Sequence, residues 1–190
     1  MLLFGTAVPH SQSASAQSLV TSLKKGGYVL VLRHASSPGN VPDKQTANAD
    51  NVKMERQLDE TGRRTSTAMG KALRDLKIPV GDVLSSPTYR ALETVKLAQL
   101  PNVQRQTELG DGGQSMQGAS DPQAQWLRER ANRLPKGTNT IIVTHSPNIS
   151  RAFPDVGTVA EGEAVVVGPD EKGAPRVLGR IKIEEWPGMR

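Results

Sequence analysis

The chain has 190 residues, a formal net charge of +5 and no cysteine. That excludes disulfides, a thiolate nucleophile and cysteine-type zinc sites, and the positive balance suits anionic partners. Hydrophobic residues make up 36% and aromatic residues 3%, so the core of a single domain must be built from Val, Leu, Ile and Ala.

The first residues, "MLLFGTAVPHSQSASAQ", carry no Lys, Arg, Asp or Glu. They open apolar, turn small and polar, and offer Ala14-Ser15-Ala16, a small-x-small pattern of the type cleaved after secretory signals. Residues 1–16 are therefore expected to be a truncated signal peptide or a disordered leader, with one domain over 17–190. A signal places the protein in the periplasm or outside the cell; a mere leader leaves it in the cytoplasm. No later stretch approaches the length of a membrane span.

"SLVTSLKKGG" (18–27) predicts a short helix stopped by glycine. "YVLVLR" (28–33) predicts a buried strand, which runs directly into His34. Residues 36–57 are polar and rich in Pro, Asn and Asp, and predict a long loop of the sort that shapes specificity. "LDETGRRTSTAMGKALRDL" (58–76) has apolar residues on one helical face, with Asp59 as N-cap and Pro79 beyond its end. "DVLSS" (82–86) predicts a strand. Ser86 and Pro87 then predict the N-cap and first turn of a helix through 100. "NVQRQTEL" (102–109) predicts a strand and "GDGGQSMQGAS" a glycine-rich loop. "DPQAQWLRERANRL" (121–134) predicts a helix, "TIIVTH" (140–145) a strand and "PNISRAF" (147–153) a short helix. Residues 163–186 predict two antiparallel strands joined by a Gly/Pro turn. Strands alternating with helices imply an α/β fold: a three-layer α/β/α sandwich with a mainly parallel sheet and a C-terminal antiparallel hairpin.

Three of these strands end alike. One delivers Arg33 and His34, one leads to Arg90, and one delivers His145. In open α/β sheets, ligands bind beyond the carboxyl ends of the strands. If the three strands are neighbours, two arginines and two histidines meet in one cleft, and a phosphoryl dianion is the natural occupant. An imidazole facing phosphorus can attack it in line. Arginines can spread the transition-state charge that metals carry in other phosphoryl-transfer sites, so the expectation is no metal and no cofactor. Glu108 and Asp111 are candidate acids for the leaving oxygen. The basic residues are scattered and lack interleaved aromatics, which argues against a nucleic-acid partner.

Arg33-His34, "SSPTYRALET" (85–94) and "VTHS" (143–146), in that order, resemble the signatures of the histidine phosphatase superfamily, the phosphoglycerate mutase-like enzymes. "LDETG" (58–62) is similar to that family's "LTxxG" helix start. The resemblance spans roughly residues 26–168. It implies a metal-independent phosphomonoesterase working through a phosphohistidine on His34, with Arg33, Arg90 and His145 binding the phosphoryl group. It favours Glu108 as the acid over Asp111, and a phosphorylated small molecule or glycan as substrate. Ala35 stands where the family has glycine, and the loop bearing Glu108 lacks the "GxWEG" continuation, so the sequence resembles small phosphatases more than mutases. A phosphohistidine-protein phosphatase and an inactive phosphate-binding module of the same fold are the alternatives.

Overall fold

A computed structural model describes residues 15–38, 56–111 and 119–190. Residues 1–14 of the expected leader, most of the loop 36–57 and most of the glycine-rich loop lie outside the described residues. The elements run α1 (Ala16–Leu23), β1 (Val29–Arg33), α2 (Glu60–Asp75), β2 (Val80–Ser85), α3 (Tyr89–Leu97), β3 (Val103–Arg105), α4 (Asp121–Ala131), β4 (Asn139–Thr144), α5 (Ser146–Ala152), β5 (Ala164–Pro169) and β6 (Pro175–Ile181). The strands form one sheet in the order β3-β2-β4-β1-β5-β6. Pairings among β1 to β4 are parallel, whereas β5 pairs antiparallel with both β1 and β6.

The alternation of side chains along each strand builds two cores. Leu30 and Leu32 of β1, Ile141 and Val143 of β4, and Val166 of β5 face a layer made by α1, α2 and α3. Val29, Val31, Ile142, Val165 and Val167 face the opposite layer of α4 and α5. Both faces of the sheet are covered, which is why its central strands read as unbroken apolar runs. With so few aromatics, Trp186 is the largest fully buried side chain, and it closes the α1–α3 side.

Helix α2 is tied to the segment leaving β1. Asp59 is its N-cap, accepting from the Gly62 amide at 2.7 Å, and its other carboxylate oxygen accepts the Ser36 hydroxyl at 2.7 Å. These donors hold the Asp59 carboxyl below the usual carboxylate range. Gly62 is required by the closeness of that contact, because a Cβ there would stand 2.2 Å from the Ser36 carbonyl oxygen.

Two boundaries differ from those expected. The third helix begins at Tyr89 with Thr88 as N-cap, not at Pro87 with Ser86; the Ser86 hydroxyl takes the Thr88 amide at 3.3 Å and also bonds a histidine ring. The strand expected over 102–109 stops at Arg105 and gives way to a 3-10 turn at Thr107–Leu109. That turn redirects the chain across the sheet edge.

Candidate active site

The strands β2, β4 and β1 are neighbours in that order, so the three strand exits do meet. His34 follows β1, and its amide donates to the Thr144 carbonyl at 3.0 Å, extending the pairing with β4 by one residue. Arg90 lies in the first turn of α3. His145 follows β4 and is the N-cap residue of α5.

The hydrogen bonds fix the state of each ring. His34 Nδ1 is 2.8 Å from the Ala35 carbonyl oxygen, which can only accept, so Nδ1 carries the proton. Nε2 then keeps its lone pair and accepts from Arg90 Nε at 3.2 Å. A second nitrogen of the same guanidinium, Nη2, lies 3.2 Å from His145 Nδ1, which must accept. His145 Nε2 therefore carries the proton, and it donates to the Ser86 hydroxyl at 2.9 Å. The two rings sit edge to face with centroids 5.2 Å apart. His34, Arg90 and His145 are all buried. Burial is the main cause that pushes both imidazoles well below the ordinary value of 6.5; after it, competition with His145 for a proton and the charges of Arg90 and Arg33 act on His34, and the charges of Arg90, Arg56 and Arg33 act on His145.

Stability should depend on pH as a result. Each buried ring has a lower pKa folded than unfolded, so below pH 6.5 the unfolded chain binds more protons. The stability these neutral rings contribute is complete above pH 6.5 and is lost progressively as pH falls through the window beneath it. Thermal melts are expected to show a lower Tm at about pH 5 than at about pH 7.5, above the range where ordinary carboxylates titrate. A Tm that stays level or rises on acidification would contradict buried neutral histidines.

Asp111 enters the same cluster. Its Oδ2 pairs with Arg90 Nη2 and lies 3.6 Å from His145 Nδ1. The segment that carries it is anchored from three elements: Thr144 Oγ1 donates to the Leu109 carbonyl at 2.7 Å, and the side-chain amides of Asn148 and Gln123 donate to the Gly110 carbonyl at 2.9 and 3.0 Å. Glu108 lies in the 3-10 turn just before it. Its carboxylate takes the Thr107 hydroxyl at 3.3 Å, on the exposed side of the turn. Of the two candidate acids, Asp111 is the one brought to the histidines.

Arg33 sits at the rim. Its Nη1 donates to the Val159 carbonyl at 2.9 Å and its Nη2 pairs with Glu161 at 3.1 Å. Its Nε–H is buried with no partner among the described residues. A buried donor of this kind costs free energy unless an acceptor reaches it.

Several supporting residues were not singled out from the sequence, although the motif quoted as "SSPTYRALET" contains them. The Thr94 hydroxyl accepts the Ala35 amide at 3.1 Å and donates to the Arg90 carbonyl at 2.8 Å, tying α3 to the segment beside His34. Glu93 accepts the Leu58 amide at 3.1 Å and pairs with Arg63 at 3.3 Å. Ser86 and Thr88 hold His145. Glu161, by contrast, lies outside any motif.

Chemically, the cluster offers a neutral imidazole whose Nε2 lone pair meets the Arg90 Nε–H, a guanidinium in contact with both rings, and a carboxylate paired with that guanidinium. The pairing with Asp111 shows that this guanidinium can take an oxyanion at its Nη2, and a tetrahedral dianion matches such a set of donors.

Residues 29–109 match the family model of the histidine phosphatase superfamily (branch 1). No curated protein sequence matches the chain. Among solved structures, the chain is similar to the protein histidine phosphatase SixA complexed with tungstate, at 16% identity and a TM-score of 0.59, covering 83% of this chain and 98% of that one. It is also similar to a phosphoserine phosphatase from Entamoeba histolytica in complex with 3-phosphoglyceric acid, at 11% identity and TM-score 0.56, covering 80% and 95%. A third is a putative alpha-ribazole-5'-P phosphatase from Escherichia coli, at 18% identity and TM-score 0.54, covering 80% and 96%. At these identities the likeness is one of fold.

Proposed function

We propose that this chain, a phosphoglycerate mutase-like member of the histidine phosphatase superfamily by its matched segment and its fold, is a metal-independent phosphomonoesterase that works through a phosphohistidine on His34. The observation that carries the reading is the bond from Arg90 Nε to His34 Nε2 at 3.2 Å, with Nδ1 held by the Ala35 carbonyl. It leaves the nucleophilic nitrogen neutral and facing the guanidinium that would bind the phosphoryl oxygens.

In the first step His34 Nε2 attacks phosphorus, the P–N bond forms, and the P–O bond to the leaving group breaks. Arg90 and Arg33 spread the charge on the phosphoryl oxygens, and His145 joins them once the bound dianion draws a proton onto its Nδ1. The leaving oxygen takes a proton from Asp111 and departs as an alcohol. A water then attacks phosphorus, giving its proton to Asp111; inorganic phosphate leaves and the imidazole is restored. Asp111 is preferred to Glu108 because its carboxylate lies 3.6 Å from His145 and pairs with Arg90.

The test is a pair of substitutions read on two leaving groups, with chelator present throughout. Asp111→Asn is expected to slow hydrolysis of an alkyl phosphate by about 10²-fold or more, and of p-nitrophenyl phosphate much less, since nitrophenolate leaves without a proton. Glu108→Gln is expected to leave both rates within about threefold, as for a surface group away from the reacting atoms. The reverse pattern would transfer the acid to Glu108.

A second reading, hydrolysis of phosphohistidine on a protein, draws on the likeness to the SixA structures. The same nucleophile and cations would serve, with an imidazole nitrogen as the leaving atom.

A further inference from the structure

Building on the phosphomonoesterase reading, we propose that Glu161 sets which esters the site accepts: it excludes those carrying a second anion close to the phosphoryl group and admits neutral or cationic leaving groups.

Glu161 belongs to the segment that precedes β5 and lies across the end of β1. The Gly162 amide donates to the carbonyls of Arg33 and His34, at 3.2 and 2.9 Å. Gly162 has φ of +74°, and a Cβ there would stand 2.6 Å from Ile183, so the segment is fixed on the strand end by a residue that must be glycine. From this mount the Glu161 carboxylate reaches between two guanidiniums. Oε1 is 3.1 Å from Arg33 Nη2 and 3.8 Å from Arg56 Nη2, while Oε2 accepts the Ser37 amide at 3.3 Å.

The carboxylate also lines a cavity of about 310 Å³ with Ser36, Thr61, Arg64, Thr65 and Glu184. Ser36 is two residues beyond His34, and Glu161 touches Arg33, so the cavity lies beside the end of the strand that carries the nucleophile. Its size falls at the small end of ligand pockets. Its walls are mostly apolar, with Ala68, Ile183 and Pro187, and set among them are hydroxyls, two carboxylates and one guanidinium. An alcohol moiety lying here would meet acceptors for its own hydroxyls or for an ammonium group. A carboxylate or second phosphate on the substrate would instead meet Glu161, whose charge already occupies the cations at the rim. Discrimination then comes from a repulsive element against the wrong partner as much as from contacts to the right one.

The test uses glycerol 3-phosphate and 3-phosphoglycerate, which share a phosphate and differ in carrying a hydroxymethyl or a carboxylate group. Wild-type protein is expected to favour glycerol 3-phosphate by roughly tenfold or more in kcat/KM, mainly through KM, with ethanolamine phosphate at least as good. Glu161→Gln keeps an oxygen for Arg33 and removes the charge; the preference is expected to shrink to about twofold, mainly through a gain on 3-phosphoglycerate. Calorimetric affinities of the same two compounds should show the same ratios without needing turnover. An unchanged ratio in Glu161→Gln would overturn the proposal. So would an equal loss on every ester, which would make Glu161 a support for Arg33 alone. Wild-type protein that hydrolyses none of these esters would sink the phosphatase reading, while the calorimetric ratios would still decide the role of Glu161.

Discussion

His34→Ala is expected to lower turnover of p-nitrophenyl phosphate by roughly 10⁴-fold or more, the loss that follows when a nucleophile rather than a binding group is removed. No other side chain described in the cluster can replace it. His145 Nδ1 faces the same guanidinium, but the Asp111 carboxylate lies 3.6 Å from that nitrogen, so an incoming phosphoryl dianion meets a negative charge there. The substitution also leaves Arg90 Nε without its acceptor, which costs about 1–3 kcal/mol for a buried donor. A melt recorded alongside the kinetics separates the two effects. The variant should remain folded and lose Tm modestly, whereas the rate should collapse. Activity within about tenfold of wild type in a folded His34→Ala protein would remove His34 from the chemistry.

Arg90 is expected to be the second most damaging position, and here rate and stability fall together. Its side chain is 1% exposed and contacts His34, His145 and Asp111 at once. Arg90→Ala is expected to cost about 10³- to 10⁵-fold in kcat, the range seen when a transition-state arginine is lost. It also takes from the Asp111 carboxylate its guanidinium partner beside His145, and breaking a buried ion pair by removing one partner costs about 3–5 kcal/mol, less here because Asp111 is 18% exposed. Two further variants test this division. Arg90→Lys keeps the charge but cannot donate from two fixed positions, so it should recover stability better than rate. Removing Asp111 as well as Arg90 should restore part of the stability and none of the activity. Denaturant unfolding and steady-state kinetics on the same samples are the measurements. Arg90→Ala with near wild-type turnover would mean that the phosphoryl group binds elsewhere.

The parts of the molecule that were readable in the sequence are those fixed by local pattern. Apolar runs such as "YVLVL" and "TIIV" must be central strands, because a sheet covered on both faces needs apolar residues at every position. The polar residues at their ends then mark where the sheet stops and ligand binding begins. The parts that were not readable depend on three-dimensional register. Glu108 and Asp111 lie close together in the chain, and only the 3-10 turn at Thr107–Leu109 and the anchors on Gly110 decide which carboxylate turns inward. Ser86 has the residue type and the following proline of an N-cap and does take the Thr88 amide, yet the helix starts only at Tyr89 and the same hydroxyl meets His145, a contact across 59 positions. Glu161 reaches Arg33 because β5 runs antiparallel beside β1 and returns the preceding segment over the strand end. No periodicity or short motif encodes that return.

Whether a covalent bond forms between His34 and phosphorus can be tested in one measurement. Protein mixed with a phosphate-labelled ester is quenched within milliseconds into alkaline denaturant, where a phosphoramidate survives, and the label is located by peptide mass spectrometry. Label is expected on His34, approaching one per chain when breakdown of the intermediate is slow, and none in His34→Ala. Turnover without trapped label, label on any other residue, or tight phosphate binding with neither turnover nor label would contradict a phosphohistidine on His34.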